Sequence, residues 1–168
     1  MNLDNYIRNV ENFPIEGISF KDITPILSNT EAFNYVIEEF SKNLTGIDKI
    51  VALDARGFIF GGALSYKLGI PFIPIRKEGK LPSNCIKIEY ELEYGKKCFE
   101  IHTDSIIKGD KIAIIDDLLA TGGTAKASVD LVEELGGIVH SLNFVADLTF
   151  LNGKDKLKGL KINSLIKY

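Results

Sequence analysis

Residues Lys111–Thr124 read KIAIIDDLLATGGT. Ile112, Ala113, Ile114 and Ile115 are successive apolar positions, the pattern of a central strand covered on both faces. That strand feeds Asp116 and Asp117 toward a glycine-rich turn, ATGGT. Adjacent Gly122 and Gly123 let the backbone fold tightly enough for successive N–H groups to converge on one anion. AKASVDLVEELGG follows, with Ala127, Leu131 and Leu135 spaced i, i+4, i+8, so a helix is predicted to begin at once and to stop at Gly136-Gly137. The positive end of that helix favours an anion, and the hydroxyls of Thr121 and Thr124 offer further donors. Ionised carboxylates accept hydrogen bonds and donate none, so Asp116 and Asp117 suit the 2' and 3' hydroxyls of a ribose whose 5'-phosphate sits in the turn. Neither GxxxxGK[ST] nor GxGxxG occurs, which disfavours a P-loop ATPase and a Rossmann dehydrogenase.

Working outward, KIVALD (Lys49–Asp54) predicts a strand, FIFGGALSYKLG from Phe58 a helix closed by Gly69, and IPFIPIR (Ile70–Arg76) the next strand. IVHSLNFVADL from Ile138 predicts another strand. This alternation argues an α/β fold, a central mostly parallel sheet flanked by helices. Residues 80–108, polar and rich in Glu and Tyr, read as a flexible flap or hairpin leading through KKCFEIH into the sheet. About the first thirty residues, with the turn signals FPIEG and ITP, read as irregular and lying over one end of the sheet. The Lys-rich stretch from Lys154 reads as a solvated surface helix.

The chain has 168 residues, 45% of them hydrophobic, the size of one domain (1–168) with a substantial core. Charged residues make up 26% and the net charge is -3, so any basic surface is local and nucleic acid is not an expected partner. The first residues carry acids and no apolar leader, and no run approaches a membrane span, so a cytoplasmic protein is expected. Cys85 and Cys98 lack CxxC or histidine spacing and read as reduced thiols. His102 and His140 lack triad or ligand spacing and read as structural.

IAIIDDLLATGGT resembles the phosphoribosyl-pyrophosphate (PRPP) binding motif of the type I phosphoribosyltransferases. The resemblance implies that Asp116 and Asp117 hold the ribose, and that Ala120, Thr121, Gly122, Gly123 and Thr124 hold its 5'-phosphate. DARGF (Asp54–Phe58) resembles the same family's pyrophosphate loop, which is D-S-R-G-F in many adenine-specific members. Ala55 replaces the serine hydroxyl, Arg56 can pair bidentately with phosphate oxygens, and Gly57 leads into the helix. A non-proline cis peptide is implied at Asp54-Ala55. RKEGKLP (Arg76–Pro82) is similar to the adenine branch's R-K-x-G-K-L-P and brings Arg76, Lys77 and Lys80 to the end of the third strand. Cations there stabilise a leaving pyrophosphate more than the bound reactant.

FPIEGISFKDITPIL (Phe13–Leu27) resembles the hood of the adenine-specific branch. It implies a base site of Ser19, Phe20 and Lys21, with Phe20 stacked on the purine and Leu118 on the other face. Lys21 stands where arginine is usual. LEYGK (Leu92–Lys96) resembles the branch's flap motif, implying that Glu93 accepts or relays the purine's proton and that Tyr94 helps to close the site. Glu93 and Arg56 are thus the implied catalytic residues. The likeness runs from about Phe13 to SLIKY and includes LTFLNGKDKL (Leu148–Leu157). It implies transfer of the phosphoribosyl group of PRPP to adenine, with AMP and pyrophosphate as products. Mg2+ is implied as the companion of PRPP rather than as an ion held directly by protein, and a homodimer is implied as the assembly. A hypoxanthine- or xanthine-type transferase would keep the ATGGT turn and change the hood. A purine-sensing regulator of this fold would carry a DNA-binding helical module ahead of the domain, and only about a dozen residues precede the hood here.

Overall fold

A computed structural model describes residues 1–13, 15–92 and 95–168. In chain order the elements are β1 (Arg8–Glu11), β2 (Ser19–Asp22), α1 (Thr24–Leu27), α2 (Thr30–Lys42), β3 (Lys49–Leu53), α3 (Gly57–Leu68) and β4 (Phe72–Lys77). They continue with β5 (Cys85–Leu92), β6 (Gly95–His102), β7 (Lys111–Leu119), α4 (Gly123–Glu134), β8 (Ile138–Asp147) and β9 (Ile162–Lys167). The main sheet has the order β5-β6-β4-β3-β7-β8-β9. Neighbours from β4 to β9 are parallel, while β6 runs antiparallel to both β4 and β5.

Side chains alternate faces along a strand, so each central strand serves both layers of the core. On one face Val51, Leu53, Ile112, Ile114, Leu142 and Phe144 meet Leu131 and Val132 of α4. On the other, Ile50, Ala52, Ala113, Ile115 and Val145 meet Val36 and Phe40 of α2 and Phe60 and Leu64 of α3. Phe60 is fully buried, edge-on to Phe40 at 6.3 Å. Burying such a ring is worth about 1.5–3 kcal/mol, so the α2–α3 layer holds the strand ends beneath the cleft in place. Asn29 caps α2 by accepting from the Ala32 amide at 2.9 Å, and Gly69 closes α3 at φ 67°.

The structure corrects three expectations. The first thirty residues are not irregular: Ser19–Asp22 pairs antiparallel with Arg8–Glu11, Phe20 opposite Val10 and Lys21 opposite Asn9. Four-residue strands are too short to show a period. The segment after Lys154 is a 3-10 turn, Gly153–Leu157, followed by edge strand β9, not a surface helix. Lys154 is ion-paired to buried Asp147 at 2.6 Å, Leu157 is buried, and Gly159 at φ 85° breaks any helical run. The strand through KIAIID runs past its expected end at Asp116 to Leu119, so Asp117 belongs to the strand as well. Much of 80–108 is regular sheet, with Tyr90 and Phe99 in ring contact at 4.6 Å within the core.

Candidate active site

The strand ends of β3, β4 and β7 meet beneath the β1–β2 hood, the place where parallel α/β sheets bind ligands. A cleft of about 810 Å3 opens there, within the range of small-molecule sites. Its hood wall is Ser19, Phe20 and Lys21, its β3 wall Asp54, Ala55 and Arg56, and its β7 wall Asp116, Asp117, Leu118, Ala120 and Thr124. Lys77 from β4 also lines it.

Each wall has a local cause. The Asp54-Ala55 peptide is cis, as the resemblance implies, and Arg56 is the N-cap of α3. Gly57 follows because α3 starts hard against β7: a Cβ there would lie 2.8 Å from the Ile115 carbonyl oxygen and 3.0 Å from Asp116 Oδ1. At the ATGGT turn Gly122 caps α4 at φ 77°, in the left-handed region, and supplies no side chain to occupy the first-turn amides. Gly122 and Gly153 interlock by backbone: a Cβ on Gly122 would lie 2.3 Å from the Gly153 oxygen, and one on Gly153 would lie 2.2 Å from the Ala120 oxygen.

The charges are arranged in pairs. Arg56 Nε donates to Asp117 Oδ2, and its guanidinium lies 5.6 Å from the Phe20 ring centroid. Asp116 accepts the Asp117 amide on Oδ1 at 2.9 Å. Burial, reinforced by the Asp117 charge, pushes the Asp116 carboxyl well above the ordinary range. Arg76 Nε donates to Asp54 Oδ2 at 3.1 Å and its Nη1 to the Lys80 carbonyl at 3.3 Å. Glu100, only 2% exposed, accepts the Lys80 and Leu81 amides at 2.8 and 2.7 Å. Burial raises its carboxyl, but the backbone donors Leu81, Gly79 and Lys80 more than reverse this and leave it below the ordinary range. Glu100 thereby clamps the RKEGKLP loop.

Of the residues read from the sequence, the structure brings Ser19, Phe20, Lys21, Leu118, Asp116, Asp117, Ala55, Arg56, Lys77, Ala120 and Thr124 onto one cleft. Gly57, Thr121, Gly122 and Gly123 support that wall as backbone. Arg76 reaches it through Asp54. Lys80 is exposed on its loop. Glu93 and Tyr94 lie outside the described residues. The Ser19 hydroxyl is spent on Glu11 at 2.8 Å.

The chain was compared with known proteins against this geometry. Residues 26–158 match the phosphoribosyl transferase domain family. The chain is 58% identical to the adenine phosphoribosyltransferase of Clostridium botulinum, over 100% of this chain and 99% of that protein. The chain belongs to the adenine phosphoribosyltransferase family. Its fold superposes on the crystal structure of the Thermoanaerobacter pseudethanolicus member with TM-score 0.95 and 54% identity, covering 99% of this chain and 98% of that one. The Saccharomyces cerevisiae member, solved with an imino-altritol bisphosphate and adenine, gives TM-score 0.93 at 43% identity over 97% and 96% of the two chains. As a member of this family the chain is a phosphoribosyl-transferring enzyme with the type I fold.

Sequence reading missed part of this transferase's site. Leu148, Phe150 and Leu151 line the cleft from beyond β8, and Gly153 backs the phosphate turn. LTFLNGKDKL signals all four through the family likeness, but nothing in the segment alone places it against ATGGT. Glu100 sits in a strand of mixed polarity that marks no buried carboxylate.

Proposed function

We propose that this chain joins adenine to the ribose of PRPP, giving AMP and pyrophosphate, in the cleft beneath its hood. The observation that supports the reading is the convergence of Phe20, Asp116, Asp117, Ala120 and Thr124 on one cleft of about 810 Å3.

Phe20 and Leu118 face the purine from opposite sides. The turn from Ala120 to Thr124 takes the 5'-phosphate on backbone amides and the start of α4. Asp116 and Asp117 take the ribose hydroxyls. Arg56, paired with Asp117 in the free chain, turns to the incoming pyrophosphate, joined by Lys77, Arg76 and Lys80. These cations meet a charge that is larger on the departing group than on the bound reactant. The imidazole nitrogen attacks the anomeric carbon as its bond to pyrophosphate breaks, and Glu93 takes the proton that this nitrogen loses. Mg2+ enters as part of the PRPP substrate, and the oxygen-only chemistry of the Asp116–Asp117 pair suits its hydration shell.

In this reading 1–168 is one domain, with residues 1–30 as the base-binding hood and 80–108 as the flap that carries Glu93 and Tyr94. A homodimer accounts for the apolar face of α3, where Tyr66 is 93% and Ile59 43% exposed. The free thiols Cys85 and Cys98 suit the reducing cytoplasm. Steady-state assays with adenine, hypoxanthine, guanine and xanthine test the function. Adenine is expected to dominate kcat/KM, and a preference for a 6-oxopurine would refute the assignment.

A further inference from the structure

Lys21 is one of the cleft-lining residues of the hood, yet its ammonium is already engaged. Its Nζ donates to Oδ1 of Asn9, its partner across the β1–β2 ladder, at 2.6 Å. The same Nζ lies 3.9 Å from the centroid of the Tyr168 ring, well inside cation–π range. Tyr168 is itself fixed at several points. Its amide donates to the Asp147 carbonyl at 2.9 Å, and its main-chain oxygen accepts the Thr149 amide at 2.9 Å and the Thr149 hydroxyl. Its phenol donates to Asp4 Oδ1 at 2.6 Å. Burial, together with the Asp4 carboxylate, raises the phenol above its ordinary range and keeps it a donor.

Tyr168 therefore ties together the 3-10 helix Leu3–Tyr6, the hood strand β2 and the end of β8. β8 is hydrogen-bonded on both sides within the seven-stranded sheet, between β7 and β9, whereas the hood is a separate two-stranded ribbon. Such a ribbon has marginal stability of its own, so its placement over the cleft depends on ties of this kind.

We propose that Tyr168 is a positioning residue for the purine: its ring holds the Lys21 ammonium and, through it, the strand that presents Phe20, without touching the base itself. This rests on the reading of the hood as the purine site. A flat, electron-rich ring holds a lysine ammonium over its face, so the Lys21–Tyr168 contact can act as such a tie.

The test measures KM for adenine and for PRPP, with thermal melting alongside, in Tyr168→Leu, Tyr168→Phe, Lys21→Met and the combined Tyr168→Leu/Lys21→Met protein. Tyr168→Leu is expected to raise the adenine KM about three- to tenfold, the worth of a cation–π contact and one hydrogen bond. The PRPP KM stays unchanged, Tyr168→Phe recovers most of the loss, and the combined protein is no worse than Lys21→Met alone. An unchanged adenine KM, equal shifts in both KM values, or additive losses in the combined protein overturn the proposal. Tyr168→Met removes the same ring should the leucine protein fail to fold. Phe20→Leu separates the two levels of the argument. If it leaves the adenine KM unchanged, the hood is not the purine site. If it raises the adenine KM while Tyr168→Leu is silent, only the role of Tyr168 falls.

Discussion

Gly153→Ala tests the architecture of the phosphate turn from outside the turn. A Cβ at position 153 would stand 2.2 Å from the Ala120 carbonyl oxygen and 3.0 Å from the Gly122 amide nitrogen. Carbon and oxygen come to rest at about 3.3 Å, so one backbone must retreat by about 1 Å. Both contacts are main chain, so no rotamer relieves them. The 3-10 segment is held on its far side by buried Leu157 and by the Lys154–Asp147 ion pair at 2.6 Å. Among the described residues the turn Ala120–Gly122 has no comparable side-chain anchor of its own, and it is expected to yield. Amides displaced by about 1 Å from an anion cost about 10²-fold in rate where geometry sets reactivity. The expected result is a loss of about 10²-fold in kcat/KM for PRPP, mostly in KM, with the adenine KM nearly unchanged. Overpacking of this kind costs about 1–3 kcal/mol, and at about 2–4 °C per kcal/mol for a chain of this size the melting temperature falls measurably without loss of the fold. The assay is steady-state kinetics with PRPP varied at saturating adenine, accompanied by a melting curve. A PRPP KM within about twofold of wild type, with the melt lowered as expected, would show that the 3-10 segment moved and not the turn, and the reasoning would fail.

Asp116→Asn is expected to stabilise the free chain at neutral pH while weakening PRPP binding. The Asp116 carboxyl is raised by burial and by the Asp117 charge, so its favourable contribution is present below the unfolded carboxyl's pKa and is lost as pH rises through the folded one. Denaturant curves should therefore show the variant gaining on wild type by about 1–2 kcal/mol at neutral pH and the gap closing in acid; a variant equal or weaker at neutral pH refutes the assignment. Comparing the two proteins cancels the opposite trend of Asp22, Asp110 and Glu100, whose carboxyls are held below the ordinary range. Asp117→Asn removes the partner of Arg56 and a ribose acceptor together, so the PRPP KM should rise about tenfold or more with a lower kcat. Retention of wild-type kinetics would take Asp117 out of the site. Glu93→Ala should lower kcat by about 10²-fold or more with little change in either KM, and an unaffected kcat would assign the proton transfer elsewhere.

Strands β3 and β7 could be read from the sequence because they are covered on both faces, which leaves the apolar runs IVAL and IAII; β8 was legible despite its polar His140, Ser141 and Asn143 because it follows α4 in the strand–helix alternation. α3 and α4 follow from the glycines that bound them. The two strands of the hood escaped because four-residue strands such as Ser19–Asp22 carry too few positions to distinguish period 2 from no period. β9 escaped for a different reason. Ile162, Leu165 and Ile166 are only partly buried, and the lysines around them imitate a solvated helix face. At the site, residues within one motif were legible because chain neighbours stay neighbours. Contacts between motifs were not: Gly153 against Ala120, Tyr168 under Lys21 and Glu100 against the Lys80 amide join positions remote in sequence, and no local pattern encodes them.

Two acids placed side by side in a protected cleft repel each other, and on the proposed function the groups that offset this repulsion are the ones PRPP would engage. Asp117 takes the Arg56 guanidinium, and Asp116 takes a proton more readily than a free carboxyl does. PRPP carries ribose hydroxyls that can satisfy the carboxylates and a pyrophosphate that can satisfy the arginine, so binding exchanges one internal ion pair for complementary contacts at both ends of the ligand. The exchange couples the ends. Ribose contact with Asp117 favours release of Arg56, and pyrophosphate capture of Arg56 frees Asp117. A ligand bearing only one of these groups would have to break the pair without replacing both halves; Arg56, 43% exposed, can turn to water, but the Asp117 carboxylate, 5% exposed, would be left unpaired at a cost. On the proposed function, discrimination for a substrate that bears both the ribose and the pyrophosphate would follow from the Arg56–Asp117 pairing.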